Sequence, residues 1–341
     1  MRYITSKKEW DEALRLFDKY DCYHTYDYNY FSKQETESPV LVLFESQDTY
    51  IALPLLIRPI PNSGYFDATC VWGYGGPIST NYDTSYDLSE FEKELNQVFE
   101  DKKIISVFSR LNPFIENQEL ILNNIGNIKE VGVVVNIDLT KDLDIQRTQY
   151  SKTTKRYVNK YGKQCTIKYS KKKEDILLFI DLFYENMDRV KAKEHYYFTP
   201  EYFFGLIESK DFETDVLIAV ENESNKIISA AMMIKTNDII QYHMSGTYND
   251  YLKMTPVRLL IDKTRIQGTE EGYTYFNLGG GVGGKENPLL QFKSSFSKDF
   301  KTFKVWEYVV NQDIYDELCK ANIKLQTAQD VDFFPKYRYD D

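Results

Sequence analysis

The segment Gly279–Lys285, with the letters GGGVGGK, is the part of the chain closest to a known chemical motif. It matches the dinucleotide pattern GxGxxG and the first seven positions of the phosphate-binding loop GxxxxGK[ST]. That loop needs a hydroxyl for magnesium after its lysine, but Glu286 stands there, and Asn287-Pro288 interrupts the helix that should follow. A dinucleotide fold needs a second parallel strand with an acid about 20 residues on, and only about 57 residues remain. The context therefore predicts a glycine-rich turn.

Residue types that serve metal or covalent chemistry are scattered along the chain. The three histidines are isolated, no HxxxH, HxH or GxSxG pattern occurs, and the paired carboxylates lie in polar stretches. The cysteines are far apart and form no CxxC pair, which is typical of a reducing cytoplasm rather than of a zinc ribbon or disulfide framework. They are Cys22, Cys70, Cys165 and Cys319. The sequence favours a reaction without a metal and without a covalent intermediate.

Positive charge is concentrated in one stretch of an acidic chain. The formal net charge is −10, yet the stretch from Lys141 to Glu174 holds eleven basic and three acidic residues, so it carries +8 and the remainder −18. Such a run is either a solvated face or an anion-binding patch that attracts a phosphate-bearing substrate or donor. The acidic total counts against a DNA-binding or nucleic-acid-coating protein.

The chain is long enough for two domains and has the composition of a globular protein. Its 341 residues exceed what one hydrophobic core usually serves. Apolar runs such as Ile51–Ile57 are far shorter than the roughly 18 residues that a membrane span needs. The first residues become charged and amphipathic at once, which is unlike a secretory signal. We therefore expect a cytoplasmic protein without an integral membrane segment.

Apolar periodicity predicts strands and helices that alternate in a mixed α/β pattern, and the plan repeats. The segment Pro39–Arg58 aligns with Asp215–Lys235 as strand, acidic turn and strand, and Glu45 matches Glu221, which lies 176 residues later. A repeat of this period indicates a duplicated domain, unless the two hairpins agree by coincidence. The polar stretch at 138–148 is the expected junction, which predicts domains at 1–145 and 146–341.

The C-terminal motifs resemble those of FemABX-type aminoacyltransferases. The resemblance is carried by Phe276–Gly281, which reads FNLGGG, and by Phe292–Phe296, which reads FKSSF. Weaker matches occur in order at the basic helix from Ser151, at the Tyr-Phe helix from Pro200 and at the Gly-Pro turn of Tyr74–Pro77. The resemblance implies two tandem GNAT-like domains in a mixed-sheet α/β fold, with no room for the long helical arm of some family members. It also implies an acceptor site in the first domain and a donor site in the second.

The resemblance makes Lys293 the expected catalytic residue, supplying positive charge to a tetrahedral oxyanion or a donor phosphate; the alternative is a solvated lysine beside a core phenylalanine. Tyr242 is expected to donate a proton or orient the substrate. The residues expected to contact substrates are Lys33, Tyr74, Lys155, Arg156, Tyr202 and Phe292. Those expected to bind the donor at a helix start are Met254, Thr255, Val257 and Arg258. Arg258 has the alternative of an exposed helix residue.

Departures from the family pattern leave the substrates open. Phe198 stands where murein-precursor ligases carry an arginine, Ile78 follows the Gly-Pro turn where an acid is common, and Met244 replaces a tyrosine. We expect an N-acyltransferase that binds no cofactor tightly, takes its acyl group from aminoacyl-tRNA or acyl-CoA, and acts on an amine of an anionic, small or lipid-linked cell-envelope precursor. The alternatives are an acyl-CoA-dependent N-acetyltransferase acting on an amino sugar or nucleotide sugar, an ATP-using enzyme, and a non-catalytic duplicated binding module.

Overall fold

The computed structural model describes residues 1–83, 86–328 and 331–339. The chain forms two compact units. Unit 1 comprises Met1–Val131 and Phe303–Asp341, and unit 2 comprises Gly132–Thr302. Two strands, β7 (Asn127–Asp138) and β13 (Asp299–Val309), run through the points where the chain passes from one unit to the other.

Unit 1 is built on a mixed sheet with the strand order β1-β2-β3-β4-β6-β13, and β5 pairs with β3. Its other strands are β1 (Arg2–Ile4), β2 (Ser38–Ser46), β3 (Thr49–Pro59), β4 (Phe66–Thr69), β5 (Ile78–Thr80) and β6 (Ile104–Arg110). Its helices are α1 (Lys7–Leu14), α2 (Tyr26–Ser32), α3 (Ser89–Asp101), α4 (Gln118–Ile121), α11 (Gln312–Ala321) and α12 (Ile323–Thr327). All neighbouring strands with a described register are antiparallel except β4 and β6, which are parallel.

Unit 2 repeats this plan with the strand order β7-β12-β11-β10-β9-β8. Its other strands are β8 (Cys165–Tyr169), β9 (Glu213–Glu221), β10 (Ile227–Thr236), β11 (Ile239–Thr247) and β12 (Tyr275–Gly280). Its helices are α5 (Leu143–Thr148), α6 (Lys152–Tyr161), α7 (Lys173–Val190), α8 (Pro200–Glu208), α9 (Val257–Glu270) and α10 (Pro288–Lys293). Here β11 and β12 form the parallel pair and the other neighbours are antiparallel.

The duplicated hairpin predicted from the sequence is present in both units. The pair β2–β3 lies in unit 1 and the pair β9–β10 lies in unit 2, and each contributes the second and third strands counted from one edge of its sheet. Residues along β3 and β10 are buried almost without interruption rather than in alternation. Continuous apolar strands of this kind are typical of a sheet that is covered on both faces.

The units divide the chain differently from the predicted domains at 1–145 and 146–341. The last strand of unit 1 is β13, which pairs with β6 through Val305–Val309, although it lies near the C-terminus. At the end of the unit 2 order opposite β8 lies β7, which pairs with β12 through residues 134–138, although β7 begins within unit 1 in the chain. Strand pairing between distant segments leaves no local signal, so a polar stretch suggested a boundary where the chain only enters α5.

The helices of unit 2 pack as layers on the sheet. The longest of them, α7, has 18 residues and contacts β10 and β11, so it is part of a layer rather than a projecting arm. Within the described ranges, no helix combines the length and the apolar character that crossing a bilayer requires.

Candidate functional site

The parallel strands β11 and β12 separate after a short contact. Their register contains three residue pairs and ends where Gln241 lies opposite Asn277. Beyond this point β11 continues to Thr247 and β12 continues to Gly280. A parallel pair that diverges opens the sheet and leaves backbone polar groups facing the gap. We call this gap the split.

Two buried amides hold the start of the split. Asn277 is 1% exposed, and its Nδ2 donates to Gln241 Oε1 at 2.8 Å. Its Oδ1 accepts the backbone N–H of Gly279 at 2.8 Å, which bends β12 where its register with β7 shifts. Gly279 has φ +77, a left-handed conformation that glycine adopts at little cost. The bend therefore depends on the Asn-Leu-Gly-Gly order of the sequence.

Lys293 places an ammonium group at the split. It is the last residue of α10, is 8% exposed, and its Nζ donates to the carbonyl of Gly280 at 2.9 Å. A Cβ added at Gly279 would lie 2.9 Å from Nζ, so the glycine leaves room for the charge. No carboxylate among the described residues forms an ion pair with Lys293, and burial lowers its pKa to about 8. The alternative of a solvated lysine is wrong.

The side chain of Tyr242 lies on the same face of the sheet as Lys293. Its ring centroid is 6.0 Å from Lys293 Nζ, and its hydroxyl is 2.5 Å from Ser245 Oγ. Burial raises the pKa of Tyr242 to about 12, so the phenol is protonated at neutral pH. The structure therefore brings the two predicted catalytic residues together, and their catalytic roles stay a prediction.

A β-bulge puts a histidine next to Tyr242 that sequence reasoning missed as a site residue. Met233 of β10 pairs with Tyr242, but Met232 pairs with Met244, so His243 is the extra residue. His243 Nε2 lies 2.8 Å from the hydroxyl of Tyr202 on α8. Tyr202 is 4% exposed and stacks on Phe198 at 4.3 Å. A bulge is created by the pairing of two strands, so the local sequence carried no signal for this contact.

Arg258, on the first turn of α9, connects three helical segments. Its Nη1 donates to Thr154 Oγ1 on α6 at 2.5 Å and to Ser295 Oγ after α10 at 2.7 Å. The guanidinium lies 4.7 Å from the ring centroid of Phe292, and burial lowers its pKa. The alternative of an exposed helix residue is wrong, since the side chain is half-buried in this junction. Phe292 serves here as the aromatic face for the cation.

Unpaired polar atoms lie where α9 begins. Thr255 Oγ1 and Arg258 Nε are buried, and neither has a hydrogen-bond partner among the described residues. Thr255 has φ +44, and the preceding Met254 ends a 3-10 helix and, like Val257, packs against the core of unit 2. Of the four predicted donor-binding residues, Thr255 and Arg258 therefore offer side-chain donors, whereas the other two contribute apolar packing.

The basic segment keeps most of its charge on the surface. Lys155 donates to the carbonyl of Thr148 at 3.1 Å and so caps the end of α5. Arg156 is exposed and lies 5.5 Å from the ring centroid of Tyr157. Further exposed lysines follow on α6 and around β8: Lys152, Lys160, Lys163, Lys168, Lys171, Lys172 and Lys173. The predicted anion-binding patch is thus a largely solvent-facing surface, in which Lys155 caps a helix and Lys141 and Arg147 form ion pairs with acidic residues.

Lys33 and Tyr74, the two site residues predicted in the first half, belong to unit 1. Lys33 directly follows α2 as its C-cap, and its Nζ lies 5.6 Å from the ring centroid of Tyr30. The Tyr74 ring contacts the rings of Tyr23 and Phe303 edge-on, and its carbonyl accepts a bond from Asn112 at 2.9 Å. Both side chains have local structural contacts, and their substrate contacts stay a prediction.

Unit 1 contains the equivalent parallel pair, but a structured turn follows it. The turn after β4 reaches β6 through a parallel bridge between Gly75 and Leu111. Buried Gln118 donates from Nε2 to the carbonyls of Gly75 and Pro77, and its Oε1 accepts the N–H of Asn112. The Gly-Pro turn is therefore held by side chains, whereas the split of unit 2 contains an ammonium that no carboxylate of the described residues compensates. In the described part of the chain, no group of three or more His, Cys, Asp or Glu residues is placed to hold a metal ion.

Comparison with known proteins identifies the fold. No protein-family model matches the chain, and no curated protein matches it significantly. Among solved structures, FemX is similar over 93% of this chain and 99% of its own, with 13% identity and a TM-score of 0.70. The C-terminal domain of a putative lysylphosphatidylglycerol synthetase from Agrobacterium fabrum is similar over 91% of this chain and 94% of its own, with 13% identity and a TM-score of 0.60. L-PGS from Bacillus licheniformis is similar over 89% and 91%, with 12% identity and a TM-score of 0.57. The predicted FemABX-like fold is confirmed, and the two units repeat one strand plan, as the predicted duplication requires.

Proposed function

We propose that this chain is a FemABX-like N-acyltransferase, which transfers an aminoacyl or acyl group from an activated donor to an amino group of a cell-envelope precursor. The observation that carries the proposal is the ammonium of Lys293, buried in the split without a counter-ion among the described residues. A buried cation without a partner is costly. A site that retains one is suited to a ligand or transition state that brings negative charge.

Acyl transfer supplies such a charge at one atom. When an amine attacks the donor carbonyl, the oxygen becomes an oxyanion, and a donor fixed in advance inside a water-poor site stabilises it strongly. Lys293 has three N–H donors, and one of them is used by the carbonyl of Gly280. The remaining donors are available for the oxyanion. Tyr242 lies beside this point and is suited to orient the acyl group.

Direct attack by the amine agrees with the side chains around the split. Ser245 has its hydroxyl bonded to Tyr242 rather than to a histidine base, and none of the residues named around the split is a cysteine. A covalent acyl-enzyme would need an activated nucleophile with a base in contact. Lys293 is the only amine described there, and its hydrogen bond to Gly280 suits a positioned cation.

Two donor classes fit different observations. The exposed lysines of α6 and β8 suit the phosphates of aminoacyl-tRNA. An aminoacyl group, lysyl, is also part of the name of a similar structure, the putative lysylphosphatidylglycerol synthetase domain. The unpaired Thr255 Oγ1 and Arg258 Nε at the start of α9 suit the pyrophosphate of acyl-CoA. They favour the second candidate function, an acyl-CoA-dependent N-acetyltransferase that acts on an amino sugar or nucleotide sugar of polysaccharide biosynthesis.

The proposed acceptor is an anionic, small or lipid-linked precursor of the cell envelope, such as one of peptidoglycan, and the proposed location is the cytoplasm. The test incubates the purified protein with total tRNA charged with radiolabelled amino acids, or with radiolabelled acetyl-CoA, and with amine acceptors that include UDP-linked muropeptides and UDP-linked amino sugars. We expect transfer of label to an acceptor from one donor class. Tight acetyl-CoA binding by calorimetry with acetyl transfer would select the second candidate. No transfer from either donor to any acceptor would support the non-catalytic binding module.

A further inference from the structure

The two faces of the sheet present different chemistry at the split. Tyr242 and Ser245 are bonded to each other on the face that carries Lys293. The bulge interrupts the alternation of side chains between the two faces of β11, so that His243 contacts Tyr202 of α8. Gly246 lies against α7, since a Cβ added there would be 2.4 Å from the backbone of Leu182. Lys293 therefore lies on one face of the opening, and His243 with Tyr202 lies on the other.

The reaction proposed above has a proton to remove. An amine that is protonated in solution, R–NH3⁺, must lose one proton before its lone pair attacks, and it loses another as the C–N bond forms. When the bond from the acyl carbon to the donor oxygen or sulfur breaks, the leaving group takes up one proton. One proton is thus left over in each turnover and must pass to solvent, which requires an acceptor near the amine.

We propose that Tyr202 and His243 form the proton-accepting pair for the acceptor amine, which enters on the α7/α8 face of the split. The amine gives a proton to Tyr202 Oη, and the phenol passes its own proton to His243 Nε2 across the 2.8 Å contact. Tyr202 is the catalytic residue of this pair, and His243 acts through it. The inference rests on the proposed function and assigns the face from which a primary amine approaches.

Burial and packing suit this role. Stacking on Phe198 at 4.3 Å fixes the Tyr202 ring, so the hydroxyl keeps its direction toward the histidine. Burial lowers the pKa of His243 to about 4, so the imidazole is neutral at neutral pH and one of its two ring nitrogens carries no proton. The proton that this pair accepts is the one that a protonated amine must lose before its lone pair attacks.

The test compares two acceptors that differ in protonation. Glucosamine is an ammonium ion at neutral pH and needs a base, whereas hydroxylamine is uncharged and nucleophilic without one. Acyl transfer from charged tRNA or acetyl-CoA to each is measured for the wild-type protein, Tyr202→Phe, His243→Gln and Lys293→Met, with the reaction in the absence of protein subtracted. We expect Tyr202→Phe and His243→Gln to slow transfer to glucosamine by about 100-fold and transfer to hydroxylamine by less than about threefold.

The Lys293→Met variant should lose transfer to both acceptors, because the oxyanion forms with either. Tyr202→Phe keeps the ring and its stacking, so it tests the pair even where His243→Gln disturbs folding, and melting curves of each variant monitor stability. An equal loss with both acceptors would assign Tyr202 and His243 a structural role, and no loss with either would also overturn the pair. If the wild-type protein acylates these acceptors but no variant distinguishes between them, only the pair fails. If it acylates neither of them nor the UDP-linked acceptors of the first test, the proposed function fails as well.

Discussion

Unit 2 contains two buried lysines whose surroundings are opposite. Lys235, on β10, is 4% exposed and forms ion pairs with Asp215 at 2.7 Å, Glu271 at 2.8 Å and Glu213 at 3.9 Å. Burial alone lowers its pKa, but the hydrogen bonds to Asp215 and Glu271 outweigh burial and raise the pKa above its usual range. Lys293 is buried to a similar degree, has no carboxylate partner among the described residues, and has a lowered pKa.

The two lysines show the difference between a charge that stabilises the fold and a charge that is available to a ligand. A buried lysine surrounded by acids is neutralised within the fold, so it needs no negatively charged ligand. A buried lysine such as Lys293, which bonds a backbone carbonyl and has no carboxylate partner among the described residues, retains its electrostatic potential. An oxyanion or phosphate can use that potential. The comparison predicts that changes at Lys293 alter activity and that changes at Lys235 alter stability.

The largest expected effect is the loss of activity in Lys293→Met. Removing the ammonium removes the main stabilisation of the oxyanion, so acyl transfer should fall by about 100-fold to 1000-fold, as it does when an oxyanion donor is removed. The measurement is transfer of radiolabel under single-turnover conditions. Lys298→Met is the matched control, since this exposed lysine follows in the same segment and contacts the carbonyl of Ser294. Unaltered turnover in Lys293→Met would show that the comparison is mistaken.

A second change tests whether the position of the charge matters. Gly279→Ala places a methyl group 2.9 Å from Lys293 Nζ and adds strain at φ +77, so activity should fall by about tenfold or more. Gly272→Ala is the control, because it has φ +85 but nothing lies within 4 Å of the added Cβ. Both variants should lose about 1 kcal/mol of stability from the backbone strain. Equal activity in the two variants would contradict the role of Gly279.

Lys235→Met tests the other side of the comparison. It leaves the acids around it without their shared cation, and the free energy of unfolding should fall by about 2 kcal/mol, less than for a fully buried pair because Glu213 and Glu271 are partly exposed. Urea denaturation measures this change. Turnover per folded molecule should stay within about twofold of wild type, since Lys235 lies outside the split. An exposed lysine, Lys226, provides the control as Lys226→Met.

The pH dependence of stability gives a further test of the same comparison. The pKa of Lys293 is about 8 in the folded chain and 10.5 as its ordinary value, so between these pH values the unfolded chain binds more protons. Unfolding free energy contributed by this group must therefore rise as the pH increases from about 8 toward 10.5. Urea titrations of wild type and Lys293→Met across this range should show wild type gaining stability relative to the variant. A constant difference would mean that Lys293 is not held in a desolvated place.

The element pattern and the key lysine could be predicted from the sequence. The duplicated hairpins at Pro39–Arg58 and Asp215–Lys235 follow from apolar runs and turn residues, which are local properties. The FKSSF motif identified Lys293, because this motif and the FNLGGG strand end lie close together in one continuous segment of the chain. Glu286 already excluded a phosphate-binding loop at Gly279–Lys285, and the structure shows a strand end and a short 3-10 turn there.

Other features depended on pairing between distant segments. Arg258 forms hydrogen bonds to Thr154, 104 positions away, and to Ser295, 37 positions away. Such distant contacts leave no local signal, so a helix-start pattern suggested only a phosphate contact or exposure. The bulge at His243 results from the register of β10 and β11. The placement of β13 beside β6 likewise reflects strand pairing rather than a composition shift.

By itself, the sequence determined that this chain folds as two similar α/β halves and that a lysine follows a glycine-rich strand end near the C-terminus. These properties depend on residue types and short spacings, which local propensity and apolar periodicity control. Only the tertiary structure decided that Lys293 is buried without a counter-ion in the described part of the chain, whereas Lys235 is neutralised. Whether a charge is compensated depends on the side chains that folding brings within a few ångströms, and Coulomb interactions in a water-poor interior make that difference large.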